Sequence, residues 1–189
     1  MRIALATDAW KPQVNGVVRT LTETVARLRA RGHEVETITP DLFHNVACPG
    51  YDEIRLALLP RFGVRKRLHV FRPDIVHIAT EGPIGWSTRA WCLHHGVPFT
   101  TAFHTRFPDY AAVRTGISAE CFWPIMRRFH APSRAVLAAT PSLTDELAAR
   151  GIAHTRLWSR GIDTSLFRTG LAPHPALANL PKPTLLSVG

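Results

Sequence analysis

Asn15-Gly16 closes the loop Asp8-Ala9-Trp10-Lys11-Pro12-Gln13-Val14-Asn15-Gly16, directly before a helical pattern. A helix that opens at a glycine turns bare N–H groups and about half a positive charge toward its loop, and the missing Cβ lets an oxygen come close. Asn15 and Gly16 are therefore candidates to hold a phosphate, although Asn15 is equally suited to capping the helix. His104-Thr105-Arg106, with Asp109 three residues on, follows a buried apolar run. An imidazole, a hydroxyl, a guanidinium and a carboxylate in that position suit hydrogen bonding to a sugar or a phosphate; a packed loop histidine is the plainer alternative. Glu81-Gly82-Pro83 sets a carboxylate beside a helix start, where it binds hydroxyls or complements the dipole. Arg160-Gly161-Ile162-Asp163 reads as a tight turn organised by Asp163 with Phe167 packing on it, which leaves Arg160 able to face a cleft.

Loops of this kind need a sheet to hold them. Val17, Val18, Leu21, Val25 and Leu28 recur at spacings of three and four, which predicts a helix over residues 16–31 stopped by Gly32. Short apolar runs at 3–7, 35–39, 74–78, 98–102, 136–139 and 155–158 predict strands, with a weaker one at 54–58. Helices are expected over 61–72, from Pro83 to His95, over about 119–130 and over 142–150. The succession helix, glycine, strand occurs at Gly32, Gly96 and Gly151, and such alternation specifies βαβ units with right-handed crossovers. The expected fold is α/β: a doubly wound, Rossmann-like parallel sheet. Ligands of such sheets bind beyond the carboxyl ends of the strands, which is where all four candidate stretches fall. The missing G-x-G-x-x-G argues against a dinucleotide oxidoreductase.

The chain has 189 residues, 46% of them hydrophobic, enough to bury a core without a disulfide or metal staple. Cys48, Cys92 and Cys121 are odd in number and widely spaced, which suits a reducing compartment, and the cytoplasm is the expected location. Cys92-Leu93-His94-His95 lies in a helical pattern without a second ligand cluster, so neither a metal nor another cofactor is expected. The net charge is +9. Part of it is local: residues 61–72 hold Arg61, Arg65, Lys66, Arg67 and Arg72, no acid, and interleaved Phe62, Leu68, Val70 and Phe71. That stretch reads either as a solvated helix face or as a basic amphipathic helix in peripheral contact with the cytoplasmic face of a membrane. No motif for nucleic acid accompanies the charge, and no nucleic-acid partner is expected. Residues 169–183, with four prolines, read as a linker, and Thr184-Leu185-Leu186-Ser187-Val188-Gly189 as the first strand of a further domain. The chain is thus expected to be the first half of a two-domain protein.

Ile3-Ala4-Leu5 with Pro12 and Asn15-Gly16-Val17, then Arg31-Gly32-His33-Glu34-Val35, Pro73-Asp74-Ile75-Val76-His77, Phe103-His104-Thr105 and Arg160-Gly161-Ile162-Asp163, in this order, resemble the N-terminal domain of family 4 glycosyltransferases over residues 1–168. The resemblance implies the N-terminal half of a GT-B fold in a retaining enzyme, and within the family it points to GDP-mannose-dependent α-mannosyltransferases, including those acting on glycolipids. It implies a nucleotide-diphosphate sugar as donor and a lipid or glycan as acceptor. Gly16 would reach the donor's diphosphate, with Asn15 beside it, and His104 would face the transferred sugar as the catalytic residue. Glu81, Thr105, Arg106, Asp109 and Arg160 are the candidates for binding the acceptor. The family's main donor-binding parts lie in a second domain that is not in this sequence, so these 189 residues alone are expected to be inactive. The alternative, from another class, is a non-catalytic Rossmann-like module whose basic face binds anionic lipid or nucleic acid.

Overall fold

The first strand, β1 (Arg2–Ala6), buries Ala4, Leu5 and Ala6 in succession. An apolar run without polar alternation is what a strand covered on both faces requires. Helix α1 (Gly16–Ala30) follows, with Val18, Leu21 and Val25 buried along one stripe, and the chain returns through β2 (Glu34–Ile38). An antiparallel hairpin, β3 (Asn45–Cys48) and β4 (Tyr51–Ala57), leads to α2 (Arg61–Phe71) and β5 (Ile75–Ile78). Then come α3 (Pro83–His95), β6 (Phe99–Phe103), α4 (Phe107–Thr115), α5 (Trp123–His130), β7 (Val136–Ala138), α6 (Pro141–Ala149) and β8 (Thr155–Leu157). The structure is a computed structural model and describes residues 1–48, 51–159, 161–164, 167–170, 172, 175–178 and 185.

Six strands form one parallel sheet in the order β2-β1-β5-β6-β7-β8. Successive residues of a strand point to opposite faces, and the core divides accordingly. Ala4, Ala6, Val76, Ile78 and Phe99 pack with Val64 and Leu68 of α2 and Ile84, Trp91 and Cys92 of α3. Further along, Phe103, Val136 and Ala138 meet Trp123 and Met126 of α5 and Leu147 of α6. On the other face Leu5 and Val35 meet Leu21 and Val25 of α1. The arrangement is the doubly wound, Rossmann-like α/β sheet expected. The chain leaves β1 for β2 on one side and returns to β5 on the other, so the order reverses between the carboxyl ends of β1 and β5. That switch point is where open parallel sheets take ligands.

Two local expectations needed correction. The single weak strand at 54–58 is half of the β3–β4 hairpin, which stands apart from the main sheet. The sequence predicts no helix between the strand at 98–102 and residue 119, but the chain turns into α4 at Phe107, so Asp109 lies in that helix's first turn. The described chain divides into a compact unit, Met1–Ser159, and a second unit, Arg160–Gly189, in which Phe167 N–H donates to the Asp163 carbonyl over 2.7 Å. Most of the linker expected over 169–183, and all but Leu185 of the strand expected over 184–189, lie outside the described residues.

Candidate functional site

At the switch point the loops after β1 and β5 are tied by Asp8. Its carboxylate accepts hydrogen bonds from the Ile84 N–H (2.9 Å), the Gly85 N–H (3.3 Å) and the Thr80 hydroxyl (2.9 Å), and its own N–H donates to Thr80 Oγ1 (2.6 Å). An acidic side chain from one loop thereby fills the amino-terminal end of α3, where the first-turn N–H groups and the dipole favour an anion. The close approach depends on glycine: a Cβ at Gly82 would overlap the Asp8 carboxylate, and one at Gly85 the Thr80 carbonyl oxygen. Burial still outweighs these hydrogen bonds and pushes the Asp8 carboxyl up to about 6.

The amino-terminal end of α1 is arranged differently. Asn15 Oδ1 accepts from the Val17 and Val18 N–H groups, both at 3.0 Å, and its Nδ2 donates to Gln13 Oε1 over 3.2 Å. The side chain of Asn15 is thus committed to the helix as its cap, while Gly16 is exposed at the helix's first position. Of the two helices that start at the switch point, α3 carries an internal carboxylate and α1 carries a neutral cap.

His104 directly follows β6, partly buried, with its ring 5.6 Å from that of Trp158 at 53°. Trp158 also takes the edge of His77 at 5.6 Å and 89°. His77 stands on β5 level with Leu5 of β1 and Thr100 of β6, and its Nδ1 lies 2.9 Å from Thr100 Oγ1. Burial, and then the neighbouring His104, lower the His77 imidazole to about 3, so it is neutral at pH 7. The two imidazoles and the indole form one cluster at the carboxyl end of the sheet.

Of the other candidates, Arg106, Asp109 and Glu81 are engaged with partners of their own. Arg106 pairs with Asp109 at 3.3 Å and, more tightly, with Glu146 of α6, so these charges join the start of α4 to α6. Thr105, beside them, is exposed. Glu81 turns inward: its Oε1 lies 3.4 Å from Nε2 of the fully buried His130. His130 Nδ1 lies 2.9 Å from Thr101 Oγ1, which donates to Ser133 Oγ (3.3 Å), itself 3.1 Å from His154 Nε2. Arg160 lies outside the described residues. Asp8, His77 and Trp158 are the residues that sequence reasoning passed over. A signal existed for two of them: His77 is a polar residue among buried strand residues, and Asp8 is a carboxylate directly after such a strand's apolar run. Among the described residues no cluster of His, Cys, Asp or Glu is arranged to hold a metal ion.

On α2, Val64 and Leu68 face the core, Arg67 pairs with Glu36 at 3.0 Å, and Arg61, Arg65 and Lys66 are exposed. Phe62 is 80% and Val70 73% exposed, and Leu59, just before the helix, is 89% exposed. No described helix is long and apolar enough to cross a membrane.

Residues 14–166 match the sequence profile of glycosyltransferase family 4. The chain is 29% identical over 185 residues to a GDP-mannose-dependent alpha-mannosyltransferase of Mycolicibacterium smegmatis, an alignment covering 88% of this chain and 49% of that protein. It is 25% identical over 171 residues to a sulfoquinovosyl transferase of Arabidopsis thaliana (82% of this chain, 34% of that protein). It is 33% identical over 125 residues to an alpha-monoglucosyldiacylglycerol synthase of Acholeplasma laidlawii (58% and 31%). The chain spans about half the length of the mannosyltransferases it matches.

Proposed function

The chain belongs to glycosyltransferase family 4, and from that premise we propose that it is the acceptor-binding half of a retaining hexosyltransferase that moves a hexose, mannose in the first instance, from a nucleotide-diphosphate sugar such as GDP-mannose to a lipid or glycan acceptor. The observation that carries the reading is the switch point itself. Loops holding Gly16, Glu81 and His104 lie at one end of the sheet, with an exposed glycine at the first position of one helix and an imidazole directly after a strand end. Departure of a nucleoside diphosphate from an oxocarbenium-like carbon needs fixed donors aimed at the leaving oxygens, and a helix N-terminus supplies them without reorganisation. In this reading the Gly16 N–H contacts the diphosphate and Asn15 holds the helix end in place for it. His104 faces the transferred sugar. Thr105 is the open hydroxyl of the acceptor group, Arg106 and Asp109 keep its loop in position through Glu146, and Glu81 braces the β5 loop through His130. Arg160 stays with the acceptor group on sequence alone.

The test is a transfer assay with the full-length protein, offered labelled nucleotide sugars one at a time together with extracted lipids and glycans. Label is expected to move from GDP-mannose into a lipid or glycan product with the anomeric configuration retained. Transfer from another nucleotide sugar would correct the donor, and no transfer from any of them would remove the reading.

The same proposal places α2 against an anionic membrane on the cytoplasmic side, which suits a lipid acceptor. Each Lys or Arg near such a surface contributes about 1 kcal/mol, and exposed Phe62 and Val70 would enter the interface. Binding to anionic vesicles is expected to fall with salt, and to fall further when Phe62, Lys66 and Val70 are replaced by serine. Equal binding by that variant, measured by vesicle flotation, would return α2 to the solvated-face reading.

A further inference from the structure

A cavity of about 170 Å³ lies between α2 and α3, lined by Arg61 and Arg65 on one helix and by Ser87, Trp91, His94 and His95 on the other. No loop after β1, β5 or β6 contributes to it, so it is separate from the site above and does not depend on the transferase reading. Its chemistry is one-sided. Arg61 and Arg65 are one turn apart on the same helix face, a like-charge spacing that destabilises a helix unless an anion relieves it. Neither makes an ion pair among the described residues, and no carboxylate lines the cavity.

The α3 wall is held in shape. The His95 ring stacks on Trp91 (4.4 Å between centroids, 24°) and meets His94 edge-on at 4.8 Å. His95 Nδ1 lies 2.9 Å from the Trp91 carbonyl oxygen, which makes Nδ1 the donor and leaves Nε2 as the ring's other polar atom. The indole N–H of the buried Trp91 finds no acceptor among the described residues. Two guanidiniums one turn apart, an indole N–H without an acceptor and no carboxylate in the lining are the recognition chemistry of a phosphoryl oxygen group.

We propose that this cavity binds a phosphate group, either that of an anionic lipid headgroup or that of a small free phosphate. Exposed Phe62 follows Arg61, and Leu93, 48% exposed, precedes His94, so apolar side chains accompany the cationic ones on both helices.

Histidine ring resonances of the whole 189-residue chain, followed during titration, give the test. Inorganic phosphate is expected to shift the His94 and His95 signals saturably, and the double change Arg61→Gln, Arg65→Gln to weaken that binding roughly thirtyfold, as two lost cationic contacts imply. Lys66→Gln, on α2 but outside the cavity, is expected to leave phosphate binding unchanged even where it lowers general attraction to vesicles. Vesicles of phosphatidylcholine with and without phosphatidic acid separate the sources. Competition by the acidic vesicles alone assigns a lipid headgroup, and binding of the ion without such competition assigns a free phosphate. Both arginines are exposed, and an unchanged thermal midpoint confirms that the double variant folds; His94→Gln serves as a second variant. Absent shifts with both probes, or shifts that persist in the double variant, would overturn the proposal.

Discussion

Replacement of His104 by alanine in the full-length protein is expected to lower turnover about a hundredfold or more, with the KM for the donor changed only a few-fold and the fold intact. The magnitude is that of removing one positioned donor from a site where charge develops in the transition state. The position justifies it. His104 is the first residue beyond β6, at the carboxyl end of the sheet, and Trp158 fixes its ring from one side. Trp158 is itself held by the edge of His77, and His77 is kept neutral by burial, so the cluster orients His104 without adding a second charge. Little stability depends on the ring, because the core cluster behind it is built from Phe103, Trp123 and Met126. His104→Gln retains an N–H donor and should recover part of the rate, which a purely structural role would not predict. Unchanged turnover of the alanine variant with its authentic acceptor would take His104 out of the site.

The parts of the fold legible in the sequence are those where burial repeats along the chain. β1, β5 and β6 are short apolar runs because both their faces are covered, and α1 carries its stripe because only one face is. The glycine stops were readable for a local reason: Gly32, Gly96 and Gly151 have φ of +81°, +66° and +85°, which other residues resist. Where burial is sparse the pattern falls silent. Helix α4 has only Pro108 buried, so Phe107–Thr115 shows no periodic stripe, and its prolyl start resembles a loop. The hairpin escaped because β3 has no fully buried residue and pairs outside the main sheet.

At the candidate site, local roles were legible and long-range ones were not. Capping by Asn15 involves the next three residues, and the alternatives weighed for it included the one observed. Asp8 acts on Thr80, Ile84 and Gly85, 72 to 77 positions away, and nothing near Asp8 announces them. Glu81 finds His130 and Arg106 finds Glu146 in the same way, through the meeting of β5 with α5 and of α4 with α6. A sequence shows which groups need partners; the order of strands decides which partners arrive.

Asp8→Ala is expected to cost about 3 kcal/mol at pH 7, and its pH dependence distinguishes this carboxylate from an ordinary helix cap. Truncation leaves the Ile84 and Gly85 N–H groups and the Thr80 hydroxyl without their acceptor, at about 1–3 kcal/mol each, and relief of the buried charge offsets part of that loss. An ordinary cap has a depressed pKa, and its contribution fades in acid. Asp8 is raised from 3.8 to about 6, so the folded state holds the proton more tightly than the unfolded chain. Its contribution is therefore fully present below about 3.8 and is lost as pH rises through about 6. His77, lowered from 6.5 to about 3, has the opposite sign: its contribution is present above 6.5 and is lost as pH falls toward 3. In the parent chain the two slopes oppose each other between pH 6 and pH 4. Removing Asp8 leaves the His77 slope exposed, about 1.4 kcal/mol per pH unit, so the deficit of Asp8→Ala relative to the parent should widen on acidification. His77→Gln should do the reverse and make the chain gain stability over the same interval. Urea unfolding of all three chains at pH 7, 6, 5 and 4 reads the difference directly, since every other titrating group contributes equally to parent and variant. A deficit that narrows toward pH 4 would mean that hydrogen bonding outweighs burial at Asp8, and that the end of α3 is an ordinary anion site.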